Sequence, residues 1–153
     1  LLLAKTPPQT SLMRSVSLAD LALIIGVAAI LLPTMIEVGQ FNWTTEQGGH
    51  GPIVMAIGLW LLWREVKSSS APRKPGNPVI GSLALAGLLA VYLVSRITGI
   101  LEIEALAMYG ALIVGAYMLF GGALIRSVCF PLLYLAQTLP PPDSVVAAVT
   151  PPI

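Results

Sequence analysis

Apolar residues in this chain come in long unbroken runs, without the period-two alternation of half-buried strands. The first uncharged run is Leu21 to Ile36, extended backwards by Leu18 and Val16. The second, Gly51 to Trp63, is shorter. A third reaches from Val79 to about Ser95, and a fourth from Ala105 to Ile125. A spanning helix needs about 20 mostly apolar residues, because each adds about 1.5 Å across a hydrocarbon core about 30 Å thick. The pattern therefore predicts spans over 18–36, 50–63, 79–96 and 105–125. The second gains length if Gln47, Gly49 and His50 sit among headgroups, with Trp60 and Trp63 at the opposite interface. A fifth run, 128–140, contains Pro131 and ends at Pro140-Pro141-Pro142, so it reads as a bent span or a re-entrant segment. The fold class is all-α: a polytopic transmembrane helical bundle of four clear spans plus a fifth short or re-entrant helix.

Local signals refine these boundaries. Ser17 is placed to cap the first helix, with Asp20 in its first turn, where a carboxylate suits the positive helix end. Pro33 is placed to kink or end that helix, and Pro52 suits the first turn of the second. Between the second and third runs, Lys67 to Pro78 is a polar linker rich in serine and proline. Ala107, Ala111 and Gly115 recur every four residues and predict a smooth face for close helix contact, as do Ala22 and Gly26 in the first helix. There is no internal repeat.

Composition removes the soluble alternatives. Of 153 residues, 56% are hydrophobic and 10% charged, with a mean hydropathy of +0.88. A soluble domain carries about a quarter charged residues, and disordered chains are poor in apolar ones. Eight basic and seven acidic residues leave a net charge of +1, without the footprint of a nucleic-acid binder. The distribution of charge is more informative than its sum. Lys5, Arg14, Arg64, Lys67, Arg73, Lys74 and Arg126 all fall on one side of the expected bundle; Arg96 alone falls on the other, among Glu37, Glu46, Glu102 and Glu104. Basic loops stay cytoplasmic, so the N-terminus is expected inside and the segments around Trp43 to His50 and Thr98 to Glu104 outside. No cleavable signal peptide is evident, and a chain opening on Leu1-Leu2-Leu3 reads as part of a longer product.

Candidate chemistry is sparse. His50, the single histidine, lies in Gly48-Gly49-His50-Gly51-Pro52, beside Glu46 at the expected outer interface; a proton exchanger and a turn histidine both fit that position. The four outer glutamates read equally as an acidic cluster or as solvated loop charges. Cys129 follows Arg126 without a general base near it in sequence, and an apolar setting raises a thiol pKa, so it reads as structural. One cysteine and one histidine are too few for a structural zinc site, and no phosphate loop, serine elbow or dinucleotide signature occurs. No catalytic, cofactor-binding or metal-binding residue is assigned, and no cofactor is expected.

Order and local motifs go further than composition. Trp43-Thr44-Thr45-Glu46-Gln47-Gly48-Gly49-His50-Gly51-Pro52-Ile53-Val54, running into Leu59-Trp60-Leu61-Leu62-Trp63-Arg64, resembles the early part of the exosortase family. Gly121 to Leu135, with Cys129-Phe130-Pro131-Leu132, then Leu139-Pro140-Pro141-Pro142-Asp143, is similar to that family's Phe-Pro-Leu stretch and proline-rich exit. The resemblance covers about 20–153. It implies a bacterial multi-pass inner-membrane enzyme, a cysteine protease or transpeptidase that recognises a C-terminal sorting signal of exported proteins. That signal is typically Pro-Glu-Pro, a membrane helix and basic residues. The family nucleophile lies in Cys-Ser-Gly-x-x-Arg, with a histidine on a later helix. Cys129 is followed by Phe130-Pro131 and His50 matches only the early His-Gly, so neither role carries over. The expected division is a cytoplasmic segment at 1–17 and, at 18–153, the N-terminal part of an exosortase-like membrane domain. Its expected partners are the lipid bilayer and exported proteins bearing the signal. The alternative is a noncatalytic multi-pass protein, a transporter half or complex subunit, but charges within the expected spans are nearly absent.

Overall fold

The computed structural model describes residues 17–46 and 48–150. The N-terminal segment with Lys5 and Arg14, and Gln47, lie outside the described residues. Among those described the structure is helical throughout: α1 (Leu18–Glu37), α2 (Gly51–Ser68), α3 (Pro78–Thr98), α4 (Leu101–Phe120), α5 (Gly122–Ser127), α6 (Cys129–Ala136) and α7 (Asp143–Val149), with a π-helical turn, Val38–Asn42, continuing α1.

The first helix starts as its sequence predicts. The Ser17 hydroxyl accepts from the Asp20 amide at 3.1 Å, and the Asp20 carboxylate accepts from the Ser17 amide at 3.1 Å, a reciprocal capping box. Pro33 does not end α1, which continues to Glu37. Pro52 lies in the first turn of α2, where a missing N–H costs nothing. Asn77 caps α3 by accepting from the amides of Val79 and Ile80.

Among the described residues three stretches are long and apolar enough to cross a membrane: Leu18–Asn42, Pro78–Thr98 and Leu101–Phe120. The other expected span, α2, has 18 residues, and its C-terminal end takes in Arg64, Glu65 and Lys67. Large apolar side chains face outward, from Leu18 and Ile25 on α1 to Leu93 and Ile97 on α3 and Leu119 on α4. This inversion of a soluble protein's surface suits a chain with lipid as its solvent.

The fourth helix is Leu101–Phe120 rather than 105–125. Hydropathy delayed its start because Glu102 and Glu104 are charged, yet carboxylates are favoured in a helix's first turn. Its end is set by Gly121, whose φ of +87° leaves the helical region, and the Lys74 carbonyl occupies the space a Cβ would need there. The run expected at 128–140 holds one short helix, α6, and the tail of the expected fourth span forms another, α5. Pro131 has no N–H to bond the carbonyl four residues back, at Ser127, which is where α5 stops. This broken segment follows α2 closely. Ser127 is hydrogen-bonded to Ser69 past one end of α2 (3.0 Å), Leu135 packs on Gly58, and the Thr138 carbonyl accepts from Trp43 near the other end (3.3 Å).

The most extensive pairing is α3 on α4, joined by a tight turn with Gly99 in the left-handed conformation (φ +73°). Ala107 and Ala111 are buried as the small-residue pattern predicts; Gly115 meets nothing close beyond its own helix. Ala22 and Gly26 do not form a contact face, both lying exposed on α1. The core sits toward the α3–α4 turn, where Val38, Tyr92, Ala105, Ala107, Met108 and Leu139 close on one another.

Candidate functional site

Two polar features share the end of the bundle that carries the α3–α4 turn. The first is a cleft of about 430 Å³ between the Trp43–Gly51 turn and the chain leaving α6. Asn42, His50, Gln137 and Thr138 supply its polar groups, and Leu106 and Pro140 to Pro142 its apolar ones. Gly51 is buried beneath the Trp43 ring, which fills the space any Cβ would occupy, so the residue after His50 has to be glycine. The same indole donates to the Thr138 carbonyl, tying the His-Gly turn to the end of α6. His50 itself is exposed at the N-terminus of α2 and makes no side-chain capping bond. Glu46 is exposed as well.

The second feature is a buried polar network, and sequence reasoning missed it. Glu104, which the sequence offers either to an outer acidic cluster or as a solvated loop charge, is 2% exposed. Its Oε1 accepts from Arg96 Nη1 at 2.7 Å and from the Thr34 hydroxyl at 2.7 Å. Arg96 Nη2 lies 3.4 Å from Glu37 Oε1, so one guanidinium bridges two carboxylates on α1 and α4. Proton accounting orders the rest. Thr34 has one hydroxyl proton and gives it to the carboxylate. The Tyr92 hydroxyl, with its one proton, donates to the Ile30 carbonyl at 3.3 Å and lies 3.2 Å from Thr34 Oγ1. Thr34 is completely buried, and among the described residues no buried side-chain polar atom lacks a partner. The network pins α1, α3 and α4 together where a lone buried charge would be costly. A signal for it did exist: a basic residue in the last turn of α3, a turn glycine, and a glutamate in the first turn of α4.

The remaining candidate, Cys129, is a free, exposed thiol at the start of α6. Two residues before it, Ser127 is hydrogen-bonded to Ser69 past the C-terminal end of α2, whereas His50 precedes the N-terminal end of that 18-residue helix, about 27 Å away at helical rise. That is far beyond the roughly 3 Å reach of proton transfer. Among the described residues no three His, Cys, Asp or Glu side chains converge as metal ligands would.

The sequence model of the transmembrane exosortase (EpsH) family matches residues 43–153. The chain belongs to that family. No curated protein and no solved structure matches it. The match begins at Trp43, later than the 20–153 expected, so α1 with Thr34 and Glu37 lies outside it. Within it fall the His-Gly turn, the Trp-Arg end of α2, the Arg96–Glu104 pair and the broken α5–α6 segment. In this exosortase the Trp-Arg exit has a physical form: Arg64 lies over the Trp60 ring at 5.6 Å and Lys67 over Trp63 at 4.2 Å, each an i, i+4 cation–π pair.

Proposed function

We propose that this chain is the N-terminal membrane scaffold of an enzyme that cleaves, and transfers or releases, exported proteins at a C-terminal sorting signal of the Pro-Glu-Pro type. In this reading the membrane is the bacterial inner membrane. The end carrying Arg64, Lys67, Arg73, Lys74 and Arg126 faces the cytoplasm, with the N-terminus, and the His50 cleft faces outward. The family match over 43–153 carries the proposal. The nucleophile is a cysteine in sequence that follows Ile153. It attacks the peptide carbonyl as a thiolate to give an acyl-enzyme and expel the signal peptide's amine; water or an acceptor amine then attacks the thioester and restores the thiol. Cys129 does not take this role, being exposed and remote from the one histidine. The noncatalytic reading gains little from Glu104, since that buried carboxylate is held by Arg96 and Thr34 rather than left to bind an ion.

Co-expression of a tagged sorting-signal substrate tests the proposal. Residues 1–153 alone should leave the substrate intact, the gene product extended beyond Ile153 should process it, and Cys129→Ser in that longer product should process it normally. Cleavage by residues 1–153 that Cys129→Ser abolishes would place the nucleophile at Cys129 and overturn the proposal. So would a downstream sequence lacking Cys-Ser-Gly-x-x-Arg.

A further inference from the structure

A groove of about 460 Å³ runs between α2, α4 and α5–α6, with α1 closing its deep end. Its walls are almost entirely apolar, and Arg73 is the one charged residue that lines it. From the geometry we infer that this groove holds one acyl chain of an anionic phospholipid, with the headgroup phosphate on Arg73.

Length decides against a protein helix as the occupant. The groove follows α2 from Met55 to Val66 and α4 from Met108 to Phe120, about 16–18 Å at helical rise. That is close to half of a hydrocarbon core about 30 Å thick, the depth reached by an acyl chain of one leaflet. A spanning helix is about 30 Å long and 10–12 Å across, too long and too wide for this space.

Charge decides the headgroup. Arg73 sits on the α2–α3 linker and is anchored by one bond, from Nη2 to the Val66 carbonyl at 3.1 Å. A guanidinium has five N–H donors, so four remain, and among the described residues no carboxylate pairs with it. The linker also brings Lys74 against Gly121 and Ser69 against Ser127, the neighbour of Arg126, so further positive charge lies around the same end. A fork of donors at the mouth of an apolar groove matches a phosphate with a hydrocarbon tail.

Native mass spectrometry of the detergent-purified chain, supplied with phosphatidylglycerol or phosphatidylcholine, tests this. The wild type should retain one phosphatidylglycerol, held about fivefold more tightly than phosphatidylcholine, the worth of one cation beside an anionic headgroup. Arg73→Gln, an exposed change that leaves the fold intact, should erase the preference but not the binding of the tail. Ala116→Phe, which fills the groove, should release both lipids while helical circular dichroism is retained. The inference fails if no lipid is retained stoichiometrically, if Arg73→Gln leaves the preference unchanged, or if folded Ala116→Phe binds lipid as the wild type does.

Discussion

Thr34→Val is the sharpest probe of the buried network, because it removes one hydroxyl and keeps the shape. Thr34 is fully buried and gives its proton to Glu104 at 2.7 Å. A hydrogen bond to a charged acceptor contributes about 1.5–3 kcal/mol, and leaving the carboxylate short of a donor costs at the upper part of that range. The added methyl returns less than about 1 kcal/mol of burial, so the net loss should be about 1.5–2.5 kcal/mol. Thr34→Ser keeps the donor and loses one methyl, for about 0.8 kcal/mol. In a Glu104→Gln background the acceptor is neutral, and Thr34→Val should then cost only about 0.5–1.5 kcal/mol. The double-mutant cycle should therefore show a coupling of about 1 kcal/mol. Equilibrium unfolding in mixed micelles, followed by tryptophan emission, measures each term. Equal losses for Val and Ser, or an unchanged cost in the Gln background, would refute the proton assignment on which this argument rests.

Other positions give independent checks. Gly121→Ala should lose about 1–3 kcal/mol from the positive-φ, extended conformation alone, with the Lys74 carbonyl adding to it, whereas Gly87→Ala, open on the lipid side, should be neutral or mildly stabilising; thermal unfolding of the two side by side reads the difference. In a Cys129→Ser background, single cysteines at Thr45 and Ser69 should react with an impermeant thiol reagent from opposite faces of oriented vesicles, Thr45 from outside and Ser69 from the cytoplasmic side. Equal accessibility at both positions would overturn the proposed orientation.

What the sequence disclosed was largely local. The capping box at Ser17 and Asp20, the start of α2 at Pro52 and the lipid-facing runs each depend on neighbouring residues or on the average apolarity of a window. The network did not show, because Thr34, Tyr92, Arg96 and Glu104 come from three helices, and hydropathy scores Glu104 as an interruption rather than a helix start. The break at Pro131 was legible, but the path of α5–α6 along α2 was not, since it is set by Leu135 packing on Gly58 and Trp43 donating to the Thr138 carbonyl. For the His50 cleft, the sequence supplied the turn but not its far wall at Pro140 to Pro142.

The brevity of α2 has a consequence for the membrane itself. Its uncharged stretch, Gly51 to Trp63, is 13 residues, about 19 Å of helix against a hydrocarbon thickness of about 30 Å. The Trp60–Arg64 and Trp63–Lys67 pairs hold one end at an interface, and upward snorkelling of the two cations recovers only a few ångströms. In the proposed orientation the remaining mismatch would have to be met by the lipid, by tilt or by neighbouring helices, and any local thinning beside α2 would bring the aqueous boundary nearer the His50 cleft than around α3 or α4.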